Sequence, residues 1–336
     1  MSQNPTPYEQ LLQALFGGWI SRALSGLARL GVADHVSATP KSAEEIAPLV
    51  GAKPDLLYRL MRATASVGVL AETPDHRFVE TPMSQLLKTG ANPGLKDVAI
   101  FTSAEWHTRG WSQLDETVRT GERPVERIWG TSVVEFFQSN GPDAEAFHNG
   151  MTNLSTQDGP AVAEAYDFTG IKSLTDVGGG HGLLLTSILK QNPGMKGTLY
   201  DLPQVVAGAA GGPTESVKDR VTMVGGDMFQ SVPPGADAYI MKYIIHDWPD
   251  DVCLKILKSC RAGVNQGGKL LVVDSVIPGP GEFHMGKFAD LEMMLFPGGK
   301  ERTETEFREL FAAAGWKLTR IVPTRSHLSI VEGVIA

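Results

Sequence analysis

A chain of 336 residues, 42% hydrophobic and 20% charged, holds more apolar material than one core usually accommodates, so two packed domains are expected. A formal charge of -8 argues against a protein held on nucleic acid by phosphate neutralisation, which needs a clustered basic face. No apolar run approaches the roughly 20 residues needed to cross a bilayer, and MSQNPTPYEQ has no basic stretch before a cleavable apolar run, so a cytoplasmic location is expected.

Residues 8 to 33 repeat Leu11, Leu12, Leu15, Ile20, Leu24, Leu27 and Leu30 at three- and four-residue steps, which predicts one long helix or two short ones broken near Gly17 and Gly18. With leucines on more than one side and few charges, both faces are expected to be buried, which points to a homodimer through the N-terminal helices. From Thr39 a helix, a turn, a second helix opened by Pro54 and two short strands around Pro74, Asp75 and His76 follow in the order of a winged helix. Six basic and six acidic side chains between 39 and 90 make that module neutral, so it reads as a support for an interface and not as a DNA reader.

Residues 92 to 168 alternate helical patterns with Gly and Pro breaks and contain Trp106, Trp111 and Trp129. Trp111 and Met151, with Met293 and Met294 further on, are candidates for lining a pocket for a flat ligand, although such residues also serve as ordinary core. After Phe168 short strands alternate with helices: SLTDVGG, a helix from His181, TLYDL, a helix from Pro203, RVTMVGGD, AYIMKYIIH, a helix from Pro249, and KLLVVDSVIP. This alternation predicts a mostly parallel sheet covered on both faces. KLTRIVPT and LSIVEGVIA, joined by a short turn, must pair antiparallel. Cys253 and Cys260, seven apart on a predicted helix and separated by roughly 10 Å along its axis, are too distant for a disulfide and read as semi-buried thiols. The eight histidines are scattered, with no metal-site spacing.

The stretch SLTDVGGGHGLLL sets a glycine-rich turn between a strand and a helix, where backbone can approach a ligand closely. Its glycines, Gly178, Gly180 and Gly182, end one position earlier than the dinucleotide pattern requires, where this chain has Leu183. Asp176, Asp201 and Asp227 fall at three successive strand ends, so their carboxylates are expected to converge on one crevice. Such a crevice repels a pyrophosphate and suits a ligand with a sulfonium, an amino group, ribose hydroxyls and an adenine amine.

With DVGGGHG, YDLP, GGDMF, IIHDWPDD and PGGKERTETEF in this order, the chain resembles the S-adenosylmethionine-dependent O-methyltransferases of the plant caffeic-acid and isoflavone type, with their bacterial polyketide and animal acetylserotonin relatives. The resemblance implies an α/β fold: a C-terminal Rossmann-like class I methyltransferase sheet of seven strands, the last pair antiparallel, over residues 156–336. Residues 1–155 would form a helical, winged-helix-like dimerisation and substrate-lid domain. It further implies that the turn of Gly178, Gly180 and Gly182 touches the methionine part of S-adenosyl-L-methionine, with Asp176 also in the cofactor site. Asp201 and Leu202 would take the ribose, Asp227 and Met228 the adenine, and Lys242 would lie near the cofactor. His246 matches the catalytic base, Asp274 and Glu301 the acids flanking it, and Asp247 the substrate side. Plant members carry glutamate where this chain has Asp274, which leaves open which carboxylate orients the histidine. The segment between Asp290 and Pro297 is about one residue shorter than in plant members, so the acceptor, a small hydroxylated aromatic or polyketide-like molecule, is not copied from them.

The chemistry suits an imidazole: a phenol near pKa 10 attacks poorly until its proton is taken, and the thioether that leaves is neutral, so no metal is required. Three other readings compete: an NAD(P)-dependent oxidoreductase on a similar sheet, a DNA-binding regulator, and the same cofactor fold performing decarboxylation or hydroxylation.

Overall fold

The computed structural model describes residues 5–139 and 141–336, without the side chains at 134, 138, 139 and 142; the first four residues of the MSQNPTPYEQ segment lie outside the described ones. The N-terminal periodicity becomes one continuous helix, α1 (Pro7–Arg29), which Gly17 and Gly18 do not break. Thr6 caps it reciprocally: its hydroxyl accepts from the Glu9 N–H while the Glu9 carboxylate accepts from the Thr6 N–H at 2.7 Å. Burial on both faces is not met within the chain. Leu27 and Ala28 are buried, whereas Leu11, Leu15, Phe16, Trp19 and Ile20 are exposed, because only the last turns of α1 meet other elements.

The winged-helix order is present as α2 (Ala43–Ile46), α3 (Pro54–Ala65), β1 (Leu70–Glu72) and β2 (Phe78–Glu80), the strands antiparallel. Leu27, Ile46, Leu57, Met61, Leu70 and Phe78 close a small core of their own. The chain folds into two compact units, residues 1–113 with 134–154, and residues 114–133 with 155–336. No helix among the described residues is long and apolar enough to cross a membrane.

The second unit is built on seven strands: β3 (Ser173–Val177), β4 (Lys196–Asp201), β5 (Val221–Gly225), β6 (Ala236–Lys242) and β7 (Val264–Asp274), then β10 (Trp316–Pro323) and β11 (Ser329–Ile335). A separate short pair, β8 (Val276–Ile277) and β9 (Arg302–Thr303), runs parallel beside it. The sheet order is β10-β11-β7-β6-β3-β4-β5, with β11 antiparallel to both of its neighbours and the other pairs parallel. Apolar runs such as Leu270 to Val273 are buried on both sides because helices cover each face. The chain steps from β3 to β4 on one side and returns to β6 on the other, so a crevice opens at the carboxyl end of β3.

Three boundaries differ from the sequence pattern. The helix after the glycine turn begins at Leu183 and not at His181, since Gly182 at φ +79° still belongs to the turn. β7 begins at Val264, well before KLLVVD, because a register shift lets Val264 pair with Ala236 ahead of the main ladder. Cys253 and Cys260 sit on the Asp250–Gly263 helix as expected but are fully buried, as they face the core of the sheet.

Beneath the sheet, the almost fully buried Glu332 of β11 accepts hydrogen bonds from the Thr319 hydroxyl at 2.6 Å, Arg320 at 3.0 Å, Lys269 at 3.1 Å and the Tyr166 hydroxyl. Burial alone would raise its carboxyl, yet these donors bring it down to about 2. Its contribution to stability is therefore present above the ordinary glutamate value and is lost as pH falls through about 2. Glu332→Ala should cost about 3 kcal/mol by stranding these donors, read as a lower urea midpoint at pH 7 with an unchanged slope.

Candidate active site

The turn that leaves β3 is shaped by its glycines. Gly180 takes φ +56° with nothing within 4 Å of where a Cβ would stand, so the loop presents open backbone. Gly179 is the reverse case: a Cβ there would meet the Asp176 carboxylate at 2.8 Å. Asp176 is thus packed beneath the turn at 1% exposure and is not a free acid on the crevice wall. Burial pushes its carboxyl up to about 7, with Lys242 opposing, and its Oδ2 has no hydrogen-bond partner among the described residues.

Asp201 ends β4 and braces the glycine turn directly, its Oδ2 accepting from the Gly180 N–H at 2.8 Å and its Oδ1 from the Leu202 N–H at 2.7 Å. Asp227 stands two residues beyond β5, where its carboxylate accepts from the Phe229 N–H at 2.9 Å and the Gln230 amide at 3.0 Å. The Gly226 N–H donates to the Asp201 carbonyl at 2.9 Å, tying these two acids together. Leu202 is exposed and Met228 half-buried beside them. Lys242 closes the inner side, donating to the Ser155 hydroxyl at 2.9 Å with Asp158 Oδ2 at 4.0 Å. Burial lowers its amine, and Asp158, Asp176 and Asp274 resist that fall.

The second cluster surrounds His246, in the turn Ile245–Asp247 that follows β6. Its Nδ1–H donates to Glu301 Oε1 at 2.9 Å, both side chains being buried, while its Nε2 lies 3.5 Å from Asp247 Oδ1. Asp274, at the end of β7, accepts from the Tyr243 N–H at 3.0 Å through Oδ1, while its buried Oδ2 has no hydrogen-bond partner among the described residues. Glu301 is the carboxylate hydrogen-bonded to the ring. Burial alone would lower the imidazole, but Asp274, Glu301 and Asp247 together raise it to about 9. Asp274 is pushed up to about 7 by its own burial.

The loop that delivers Glu301 is fastened at several points. The Glu301 N–H donates to Asp290 Oδ1 at 2.8 Å. A Cβ on Gly299 would meet the His246 carbonyl oxygen at 1.9 Å, so only glycine lets this loop run along the histidine turn. The buried Arg302 donates to the carbonyls of Ile245 at 2.9 Å and Trp248 at 3.1 Å and to Asp250 Oδ1 at 2.7 Å, gripping that turn from both ends. Arg302 had no visible signal in the sequence, because one arginine within PGGKERTE reads as a surface charge. Tyr243, Ser155 and Asp158 likewise stand in no motif that marks them in the sequence. Met293 and Met294 lie half-buried on the Gly286–Leu295 helix. Trp111 and Met151 belong to the first unit.

Comparison with known proteins agrees with this geometry. Residues 111–317 match the O-methyltransferase domain family and residues 12–90 the O-methyltransferase dimerisation domain. A phenazine O-methyltransferase of Lysobacter antibioticus is 40% identical over 96% of this chain and 94% of its own length. The crystal structure of LaPhzM superposes with a TM-score of 0.91 at 39% identity, covering 99% of this chain and 100% of that one. The O-methyltransferase NcsB1 of neocarzinostatin biosynthesis, solved with S-adenosylmethionine and 2-hydroxy-5-methyl naphthoic acid, gives a TM-score of 0.76 at 31% identity over 94% of this chain and 96% of that one. The chain belongs to the S-adenosylmethionine-dependent O-methyltransferases. That assignment sets aside the nicotinamide and DNA-binding readings.

The first cluster fits S-adenosylmethionine. The open backbone at Gly180, the carboxylates of Asp201 and Asp227 at the rim and the unpartnered Asp176 oxygen below make an acidic cradle for a cationic nucleoside. Asp201→Ala should weaken binding of S-adenosylhomocysteine by about 1.5 to 3 kcal/mol in calorimetry, through lost charged hydrogen bonds and a slackened glycine turn. An unchanged affinity would remove Asp201 from the site.

Proposed function

We propose that this O-methyltransferase methylates a hydroxyl of a small, flat aromatic acceptor, with Nε2 of His246 taking the hydroxyl proton. The observation that supports this most is the buried hydrogen bond from His246 Nδ1 to Glu301, which assigns the proton to Nδ1 and leaves Nε2 to accept. The cofactor, when bound, supplies an electrophilic methyl on a sulfonium. The acceptor oxygen would approach from the Nε2 side, and the proton it loses would rest on an imidazolium flanked by Glu301, Asp274 and Asp247. Displacement of a neutral thioether needs no metal. The phenazine and naphthoic acid in the names of the relatives suggest a fused aromatic acceptor.

We also propose that residues 156–336 form the cofactor-binding domain and that residues 1–155 dimerise. The dimerisation-domain match and the exposed Leu11, Leu15, Phe16, Trp19 and Ile20 of α1 support the second point. Light scattering at micromolar concentration should give the mass of a dimer, and a folded monomer would contradict it.

His246→Asn should reduce single-turnover methyl transfer by about 10²- to 10⁴-fold with a chelator present, leaving cofactor affinity and melting temperature near wild type. Near wild-type rates on a weakly acidic phenol would exclude His246 as the base. Acceptors already ionised at the assay pH should be spared.

The raised imidazole fixes the sign of the pH dependence. His246 accepts a proton only when it holds none at Nε2, so kcat/KM for the acceptor should rise about tenfold per pH unit and level off. The midpoint should lie at or below about 9, since a bound cation disfavours the imidazolium. In His246→Asn the remaining activity should instead follow ionisation of the acceptor itself, with its midpoint moved to the acceptor's own pKa.

A further inference from the structure

Tyr243 follows β6 directly and takes φ +58°, a left-handed conformation shared among described non-glycine residues only with His76 of the β1–β2 turn. A tyrosine is sterically disfavoured there, so the surrounding contacts must hold it. Its N–H, turned by this conformation, donates to Asp274 Oδ1 at 3.0 Å and to the Val273 carbonyl at 3.3 Å. Its ring stacks on His246 with centroids 5.3 Å apart and planes 20° from parallel. Its hydroxyl donates to Asp158 Oδ2 at 3.0 Å and stands 3.2 Å from His327 Nε2, and the Lys242 ammonium lies 4.0 Å from the ring centroid.

These contacts supply what the Glu301 bond cannot. One hydrogen bond at Nδ1 fixes an edge of the imidazole but leaves the ring free to tilt about that edge, which would swing Nε2 away from an acceptor. A parallel aromatic face removes the tilt. The same residue's N–H takes Oδ1 of Asp274, the other buried acid beside the histidine, and so fixes where that carboxylate sits.

We propose that Tyr243 is a positioning residue for methyl transfer: its left-handed turn ties down Asp274 while its ring sets the plane of His246. This rests on the reading of His246 as the base. The ring and the turn matter here, and the hydroxyl does not.

The test compares Tyr243→Phe, Tyr243→Leu and Tyr243→Gly with His246→Asn, measuring kcat, S-adenosylhomocysteine affinity and the NMR resonance of the His246 Nδ1 proton. Tyr243→Phe should stay within about threefold of wild type in kcat, with that resonance in place. Tyr243→Leu and Tyr243→Gly should each lose at least about tenfold in kcat at unchanged cofactor affinity, with the Nδ1 proton shifted or broadened, because a misplaced group of this kind costs up to about 10²-fold. Glycine also removes the steric cost of the positive φ, so that variant keeps the turn if leucine does not. Wild-type kcat and an unmoved Nδ1 proton in the leucine and glycine variants would overturn the proposal. A loss in Tyr243→Phe as large as in Tyr243→Leu would overturn it too, by assigning the effect to the hydroxyl. Full activity in His246→Asn would defeat the base reading and this inference with it, whereas an inactive His246→Asn beside a fully active Tyr243→Leu defeats this inference alone.

Discussion

A histidine and a glutamate are buried against each other at the carboxyl end of β6, and the turns and loops around them are arranged so that they can be. Burying charge is costly unless every partner is fixed, and here the fixing is distributed over several strands and loops. Asp290 holds the Glu301 backbone, Gly299 lets the loop lie on the histidine carbonyl, and Arg302 grips the carbonyls on either side of His246. The imidazole meets Glu301 at Nδ1, while its Nε2 lies 3.5 Å from Asp247 Oδ1.

The cofactor side follows a different rule. Its acids are not mutually neutralised, since Asp201 and Asp227 are engaged by backbone N–H groups and Asp176 is kept below the turn with an unpartnered oxygen. Neighbouring carboxylates raise the electrostatic cost of one another, which a cationic ligand would relieve. Lys242 moderates this excess from the inner side, held by Ser155 and near Asp158. Asp274 acts on both clusters, raising His246 and resisting the fall of the Lys242 amine.

What was legible in the sequence was periodic or local. The strand and helix alternation, the glycine turn and the acids at successive strand ends lie within short windows, and the closing antiparallel pair followed from the turn between its strands. Contacts between distant residues were not legible. His246 meets Glu301 across 55 positions and Glu332 gathers Tyr166 across 166, so the choice between Asp274 and Glu301, like the role of Arg302, needed the fold. The positive φ of Tyr243 leaves no mark in composition, since glycine is the usual signal for that conformation. Asp176 illustrates the opposite failure: its spacing suggested a wall residue, and packing against Gly179 places it underneath.

The measurement closest to the central claim is single-turnover methyl transfer by Glu301→Gln, because this change keeps the side-chain shape and removes the negative charge that holds the Nδ1 proton. The account predicts a loss of about 10²-fold or more at unchanged S-adenosylhomocysteine affinity, since an amide at that position can also donate to Nδ1 and move the proton to Nε2. A rate near wild type on a weakly acidic phenol would contradict it.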